Sequence, residues 1–316
     1  MYCNFCYRHC NINEGQSGFC GVRKVENNKL ISPNYGFLEA LAIDPIEKKP
    51  LYHFLPGTKT LSVAEVGCNF KCSFCQNWQL SQTKKSKNSK YVSPKDLVNL
   101  ALEYKVPSIS FTYSEPIVWQ DYVIDTAKIA KKHNLKTIMV TNGSFSKEAR
   151  ETLSLFIDAF NIDLKGDSKY YKDICFGNIT PVIEGIKYLI EKGNHVEVTT
   201  LLIESIHSEE IVKQLSKTLK KLDVKVWHLS RFFPNYKMNN YKATSESFLS
   251  EMVNIAKSNG IDFIYGGNST IDTPTICPNC KKILIPNHFR LNYINNNLKI
   301  EKGNCKFCGA KIYGLF

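Results

Sequence analysis

The chain has 316 residues, of which 43% are hydrophobic and 22% charged, and its formal net charge is +12. That composition excludes a wholly disordered chain, and no apolar run reaches the roughly 20 residues that a membrane-spanning helix needs. The first residues lack the basic start and apolar stretch of a signal peptide, so we expect a cytoplasmic protein with no membrane partner. The positive charge fits an RNA partner and, equally, a lysine-rich solvated surface.

Residues 1–57 contain scattered Cys, Gly and Pro and show weak periodicity, which indicates a loop-rich N-terminal region. Four of the twelve cysteines lie here, and grouped cysteines in a reducing compartment indicate metal ligands rather than disulfides. Their spacing, C-x2-C-x3-C-x9-C, lacks the trailing proline of the ferredoxin run. We expect structural zinc, with a second iron–sulfur cluster as the alternative, on Cys3, Cys6, Cys10 and Cys20.

Residues 58–270 form a second region, in which short apolar strands alternate with stretches of helical periodicity. This alternation predicts an α/β fold whose parallel sheet has helices outside it. It fits an open or closed β/α barrel, with a doubly wound sheet as the alternative. The predicted strands are Thr60–Val66, Ser108–Tyr113, Thr137–Thr141, Ala159–Leu164, His195–Ile203, Val224–Ser230 and Asp262–Tyr265. The predicted helices are Pro94–Tyr104, Ile117–His133, Lys147–Phe156, Thr180–Lys192, Ser208–Leu222 and Ser245–Asn259.

A second cysteine group follows the first predicted strand directly, with the spacing C-x3-C-x2-C. Three thiolates can hold three irons of a [4Fe-4S] cluster and leave the fourth iron open, whereas electron-transfer clusters normally use four cysteines. The open iron has room for the amino and carboxylate groups of S-adenosylmethionine (SAM). A structural zinc site needs a fourth ligand, and none follows nearby in the sequence. The motif therefore predicts a [4Fe-4S] cluster on Cys68, Cys72 and Cys75.

Polar side chains recur at the carboxyl ends of the predicted strands, which is where β/α barrels collect their chemistry. Glu115 could pair with the amino group of SAM, and Lys165 or Arg231 with its carboxylate. Each residue alone has a plain structural explanation, as a turn, an ion pair or a buried histidine. Polar side chains recur at five successive strand ends, the fifth strand contributing Glu197, Thr199 and Thr200, and this recurrence favours a shared site. Its candidate cofactor contacts are Glu115, Asn142, Asp163, Lys165, His228 and Arg231.

Cys175 stands apart from the cysteine groups and follows the fourth predicted strand. A single cysteine usually behaves as a small buried hydrophobe. The alternative is a catalytic thiol that gives a hydrogen atom to a substrate radical, because this position lies toward the predicted active face.

Residues 271–316 form a small C-terminal module with two C-x2-C pairs, 24 residues apart. Paired knuckles of this kind predict a zinc ribbon, and a rubredoxin-like iron site is the alternative because the same thiolates bind either metal. A hairpin is predicted between them, with Phe289–Ile294 against Leu298–Glu301. The ligands would be Cys277, Cys280, Cys305 and Cys308.

The cluster motif, placed after the first strand of a β/α fold, resembles the radical SAM superfamily. More closely, the chain resembles the radical SAM enzyme of the AmmeMemoRadiSam system, which is related to pyruvate formate-lyase activating enzymes. The resemblance implies a partial, open β/α barrel, SAM as cofactor and an electron donor such as ferredoxin or flavodoxin. It also implies SAM contacts at Glu115, Asn142, Asp163, Lys165 and His228. The matching stretches are Asp44–His53, the cysteine loop through Trp78, and Thr112–Pro116.

The function implied is reductive cleavage of SAM to methionine and a 5′-deoxyadenosyl radical, which takes hydrogen from an unknown substrate: a protein, an RNA or a small molecule. One version makes a glycyl radical on a partner protein, as the resembled activating enzymes do. A second version modifies RNA. The alternative of a different class is a non-catalytic iron–sulfur or zinc-binding interaction module, and the open three-cysteine motif argues against it.

Overall fold

A computed structural model of the chain describes residues 1–86, 89–271, 273–286 and 297–316. None of the helices in these ranges is long and apolar enough to cross a membrane. The strands are β1 (Lys24–Glu26), β2 (Lys29–Ile31), β3 (Phe37–Leu38), β4 (Ala40–Pro45), β5 (Lys59–Ala64), β6 (Lys90–Tyr91), β7 (Ser108–Phe111), β8 (Lys136–Thr141), β9 (Ala159–Asp163), β10 (His195–Leu202), β11 (Val226–Arg231), β12 (Phe263–Gly267), β13 (Thr275–Ile276), β14 (Ile283–Ile285), β15 (Ile300–Glu301) and β16 (Asn304–Cys305). The α-helices are α1 (Trp78–Ser81), α2 (Pro94–Glu103), α3 (Gln120–Lys132), α4 (Lys147–Phe156), α5 (Ser168–Asp173), α6 (Thr180–Glu191), α7 (Glu209–Lys221) and α8 (Glu246–Ser258).

Eight strands form the central sheet, in the order β12-β11-β10-β9-β8-β7-β5-β4. Every neighbouring pair from β5 to β12 is parallel, and β4 pairs antiparallel with β5. Strands β4 and β12 are the two edges, so the sheet is an open barrel rather than a closed one. The predicted α/β class and open barrel are confirmed.

Helices cross between successive parallel strands and cover the sheet with their apolar sides. The strands are buried almost throughout, as expected when helices pack on a parallel sheet; all four residues of β7 are buried. Most of the long helices begin at a serine whose side chain accepts a hydrogen bond from the third helical N–H, which satisfies one free donor of the first turn. These capping residues are Ser93, Ser146, Ser208 and Ser245.

All seven predicted strands are present, and each observed end lies within two residues of the predicted one. The predicted helices are present too, although a 3-10 turn (Pro116–Trp119) precedes α3. Strand β4 lies within residues 1–57, the region expected to be loop-rich, and it joins the central sheet. Its alternation is inverted, because Leu41 and Ile43 are exposed while the carboxylate Asp44 is buried.

The C-terminal module packs against the β12 edge of the sheet. Cys277, Leu284 and Cys305 share a small apolar core with Phe263 and Tyr265 of β12. Strand β15 pairs antiparallel with β16. The first half of the predicted hairpin, 289–294, lies outside the described residues. The division of the chain at residues 57 and 270 stays a prediction.

Candidate functional site

A cavity of about 300 Å³ opens at the carboxyl ends of the central strands. The loop after β5 contributes three cysteines to its wall, and the ends of β7, β8 and β9 contribute polar side chains. Four of the six predicted cofactor contacts line it together with the predicted cluster ligands. These residues are Cys68, Cys72, Cys75, Glu115, Asn142, Asp163 and Lys165.

The cysteine loop is held by backbone hydrogen bonds to residues 174 and 175 and by close packing at Gly67. The N–H groups of Lys71 and Ser73 donate to the carbonyls of Cys175 and Ile174, each at 3.0 Å. Gly67, directly before the first cysteine, has φ +103, and a Cβ there would lie 2.6 Å from Val22 Cγ1. Only glycine fits that position, because L-residues rarely adopt this φ and Val22 leaves no room.

The donor set suits a cluster with one open iron. Among the described residues, the lining contains no histidine and no cysteine beyond these three, so the usual structural zinc site of four Cys or His ligands lacks its fourth ligand here. The Phe70 N–H donates to Cys68 Sγ at 3.3 Å, and the Ser81 hydroxyl lies 3.2 Å from Cys75 Sγ. Hydrogen bonds to thiolate sulfurs stabilise their charge and tune an iron–sulfur cluster.

Glu115 is buried and accepts three hydrogen bonds. The Thr141 hydroxyl donates at 2.6 Å, and the N–H groups of Asn142 and Ile117 donate at 2.8 and 3.0 Å. Burial raises the pKa of Glu115 to about 7, against the lowering effect of these donors. The carboxylate therefore ties the end of β7 to the end of β8, and a nearby cation would favour its ionised form.

Asp163 and Lys165 form an ion pair on the wall of the cavity, with Lys165 Nζ 2.6 Å from Asp163 Oδ2. Burial disfavours the charge of Lys165, but Asp163 and the neighbouring Cys72 outweigh it and hold its pKa well above the usual value. The Asp163 side chain keeps 34% of its surface exposed. The pair thus presents both a carboxylate and an ammonium, which match the two charged groups of an amino acid.

Asn142 connects the strand end to the cysteine loop. Its side-chain amide donates to Asn69 Oδ1 at 2.8 Å and points toward Cys68 Sγ at 3.8 Å. Its own Oδ1 accepts from the Ser144 N–H at 3.0 Å and from the Ser144 hydroxyl. The turn after β8 is therefore fixed against the cysteine loop.

His228 and Arg231 do not line the cavity with the other predicted contacts. His228 Nε2 lies 2.7 Å from Glu197 Oε2, inside a buried polar network. Arg231 donates to the Thr244 carbonyl at 2.7 Å and pairs with Glu246 at the start of α8. Their roles as SAM contacts stay predictions.

Cys175 is fully buried behind the cysteine loop. It does not line the cavity, and its thiol neighbours Cys72, whose pKa it raises. This placement fits a small buried side chain that supports the loop, and the catalytic role stays a prediction.

Residues outside the predicted set also line the cavity, among them Lys48, Lys49 and Tyr113. Asp44 holds this corner: Lys49 Nζ lies 2.8 Å from its Oδ2, and the Tyr113 hydroxyl donates to the same oxygen. Tyr113 adopts φ +65, which is uncommon outside glycine and often marks a functional site. The sequence signal that could have identified this corner is the stretch Asp44–His53, which is one of those that carry the family resemblance.

The C-terminal cysteines form a compact group. Their four sulfurs all lie within 4.8 Å of one another, and Cys277–Cys308 and Cys280–Cys305 are 3.7 and 3.8 Å apart. A tetrahedral ion with Zn–S bonds of ~2.3 Å places its sulfurs about 3.8 Å apart. This group is therefore shaped for a single metal ion.

The N-terminal cysteines Cys3, Cys6, Cys10 and Cys20 line a small second cavity that shares no lining residue with the first.

The sequence profile of the Radical SAM superfamily matches residues 65–215. An uncharacterised protein of Methanocaldococcus jannaschii is 38% identical over 98% of this chain and 94% of its own. A candidate glycyl-radical enzyme activating enzyme of the same organism is 28% identical over 52% of this chain and 64% of its own. The structure of Streptococcus suis SuiB bound to its precursor peptide SuiA aligns with a TM-score of 0.54 and 18% identity, over 70% of this chain and 51% of that one.

Proposed function

Because the chain belongs to the radical SAM superfamily, we propose that it cleaves SAM in the 300 Å³ cavity and takes a hydrogen atom from a glycine of a partner protein. The observation that carries this proposal is the meeting of three cysteines, and no fourth, with Glu115, Asp163 and Lys165 in one cavity. When bound, a [4Fe-4S] cluster supplies the electron that breaks a carbon–sulfur bond of SAM and so releases methionine and the adenosyl radical.

The chain's own residues would hold SAM by its charges. Glu115 and Asp163 are the carboxylates available to its amino group, and Lys165 is the cation available to its carboxylate. Because Asp163 already neutralises Lys165 at 2.6 Å, binding would exchange that internal pair for two pairs with the ligand. Such an exchange limits the cost of burying the ligand's charges, since no buried charge is left unpaired.

A protein glycine as target is supported by the relatives. Two of them, both from Methanocaldococcus jannaschii, are candidate glycyl-radical enzyme activating enzymes, at 28% and 25% identity. A GTP 3′,8-cyclase assignment occurs at 28% identity over only 40% of this chain, so it supports a nucleotide substrate less.

The first experiment tests SAM cleavage. The protein is reconstituted anaerobically with iron and sulfide, then given dithionite and SAM, and 5′-deoxyadenosine is measured. We expect product from the native chain and none from Cys72→Ala. Cys308→Ser is the matched control, since Cys308 belongs to the C-terminal group and lies away from the cavity. Equal product from Cys72→Ala would refute the assignment.

The second experiment tests the target. A candidate partner, such as the product of a neighbouring gene, is labelled with α-deuterated glycine and incubated with the active protein and SAM. Deuterium in the 5′-deoxyadenosine, measured by mass spectrometry, is the expected result. Deuterium-free 5′-deoxyadenosine formed only in the partner's presence would reject glycine as the target and leave SAM cleavage standing.

A further inference from the structure

We propose that Cys3, Cys6, Cys10 and Cys20 bind a second iron–sulfur cluster, in a cavity separate from the site of SAM chemistry. All four cysteines line this one small cavity. Cys3, Cys6 and Cys20 are buried and Cys10 is half-buried. Four thiols facing one space, three of them buried and without a disulfide among them, form a ligand set for a thiophilic centre.

Two backbone contacts position three of the four cysteines. The Cys3 N–H donates to the Cys10 carbonyl at 2.9 Å, so the chain folds back and sets these two residues opposite each other. A turn closed by Gly21 N–H donating to the Gly18 carbonyl, at 2.9 Å, brings in Cys20. The site is thus built by tight turns rather than by chance proximity.

The separation of the thiols favours a cluster over a single ion. Over the described parts of the chain, the C-terminal cysteines are the one group of three or more whose ligand atoms all lie within 4.8 Å of each other. No three of the N-terminal thiols meet that distance. A single zinc needs sulfurs about 3.8 Å apart, whereas a cluster places several iron and sulfide atoms between its thiolates. The three cysteines of the SAM cavity likewise do not all lie within 4.8 Å of one another in the described structure.

The charges around this cavity indicate an anionic occupant. Arg8 and Arg23 both line it. Arg23 is only 4% exposed, and its Nε has no hydrogen-bond partner among the described residues. Asp121 pairs with the other end of its guanidinium. A buried donor without an acceptor is costly, and a centre carrying thiolates would supply an acceptor for the Nε–H of Arg23.

A cluster at the N-terminus is the alternative to the structural zinc that the spacing favours. Sequence spacing alone could not separate the two, since both centres use four thiolates. His9 is not a competing ligand, because its ring stacks on Tyr2 at 5.3 Å and it does not line the cavity. Cys6 and Cys68 are linked through the side chains of Asn69 and Asn142, so the second cluster would lie two side chains from the first.

The test measures acid-labile sulfide, iron and zinc in the reconstituted full chain. Sulfide is decisive, because iron or zinc on the C-terminal thiolates brings none. The variant Cys68→Ala/Cys72→Ala/Cys75→Ala should keep about two to four sulfides per chain, with an EPR signal after reduction that SAM does not change. Adding Cys6→Ser and Cys20→Ser should abolish both, whereas adding Cys277→Ser should leave both intact.

Native protein supplies a second measurement, should the triple variant fold poorly. Its sulfide should exceed the four of one [4Fe-4S] cluster by about two to four, and Cys6→Ser/Cys20→Ser should lose that excess while still cleaving SAM. Zinc without sulfide in the triple variant, or only four sulfides in the native chain, would overturn the proposal. Neither result would bear on SAM cleavage, which depends on the other cysteine group.

Discussion

Glu65 is expected to make the protein less stable as the pH rises. The residue follows β5, its side chain is fully buried, and one carboxylate oxygen accepts from the Gly36 N–H at 2.8 Å. The other oxygen has no partner among the described residues. Burial raises the pKa of Glu65 from its usual 4.5 to about 8, with Asp121 adding to the effect, although Gly36 and Arg23 oppose it.

The sign follows from proton linkage. Because the folded pKa lies above the unfolded one, the folded state holds the proton more tightly, and its stabilising effect is complete below pH 4.5. That effect is lost as the pH rises toward 8. At ~1.4 kcal/mol per pH unit, the full loss is about 5 kcal/mol of unfolding free energy. Partial solvent entry on ionisation makes this an upper value.

The assay is anaerobic urea unfolding at pH 5, 7 and 9, followed by circular dichroism. Glu65→Gln keeps the acceptor for Gly36 and cannot ionise, so it should match the native chain at pH 5 within ~1 kcal/mol. At pH 9 it should exceed the native chain by several kcal/mol. Glu103→Gln, on the exposed side of α2, is the matched control and should follow the native chain. If Glu65→Gln loses stability with pH as steeply as the native chain, the reasoning fails.

Three further changes test the site and its supports. Glu115→Gln should weaken SAM binding about tenfold in equilibrium dialysis while the visible spectrum of the cluster stays unchanged; a lost spectrum would make Glu115 a structural residue. Gly67→Ala should cost about 2–4 kcal/mol in urea unfolding, from the positive φ and the contact with Val22, and Val22→Ala should restore part of it; an unchanged midpoint would contradict the packing. Cys277→Ser should expose the C-terminal module to trypsin, as should a chelator on the native chain; unchanged resistance would argue against a metal there.

The sequence predicts the meeting of Glu115, Asn142, Asp163 and Lys165 for a simple reason. Each lies at or just after the end of a parallel strand, and the carboxyl ends of parallel strands meet at one edge of the sheet. Their residue types alone would not have sufficed, since an ion pair such as Asp163–Lys165 is common on any surface. The sheet order turns separate strand ends into one wall.

The same rule fails to place His228 and Arg231 in the cavity. The sequence indicates which face of the sheet a strand residue occupies, but it does not indicate which side chains from other elements pair with that residue. His228 lies in the middle of β11 and meets Glu197 from the neighbouring strand β10. Arg231 does lie at the strand end, yet Glu246, fifteen residues later, pairs with it. Glu197 and Glu246 reach these two residues through tertiary packing, which a local sequence pattern does not predict.

Strand β4 escaped prediction because it is an edge strand with its apolar residues outside. Leu41 and Ile43 face away from the core, at 42% and 39% exposure, and the buried position at its end holds Asp44. That carboxylate is satisfied by Lys49 and Tyr113 at the cavity. The site explains this inverted pattern, because Asp44 points inward and binds Lys49 and Tyr113, which line the cavity.

The three cysteine groups show where sequence and structure each contribute. Spacing identifies the C-x3-C-x2-C loop, because a run of three thiolates without a fourth leaves a cluster iron open. It cannot separate the two four-cysteine groups, since a pair of nearby cysteines suits an ion or a cluster equally well. The structure separates them by the distances between sulfurs that are remote in sequence: Cys277 and Cys308 are 3.7 Å apart, whereas, over the described parts of the chain, no three N-terminal thiols all lie within 4.8 Å of one another. Those distances depend on how the turns around Cys3 and Cys20 pack together, which the spacing of cysteines along the chain does not determine.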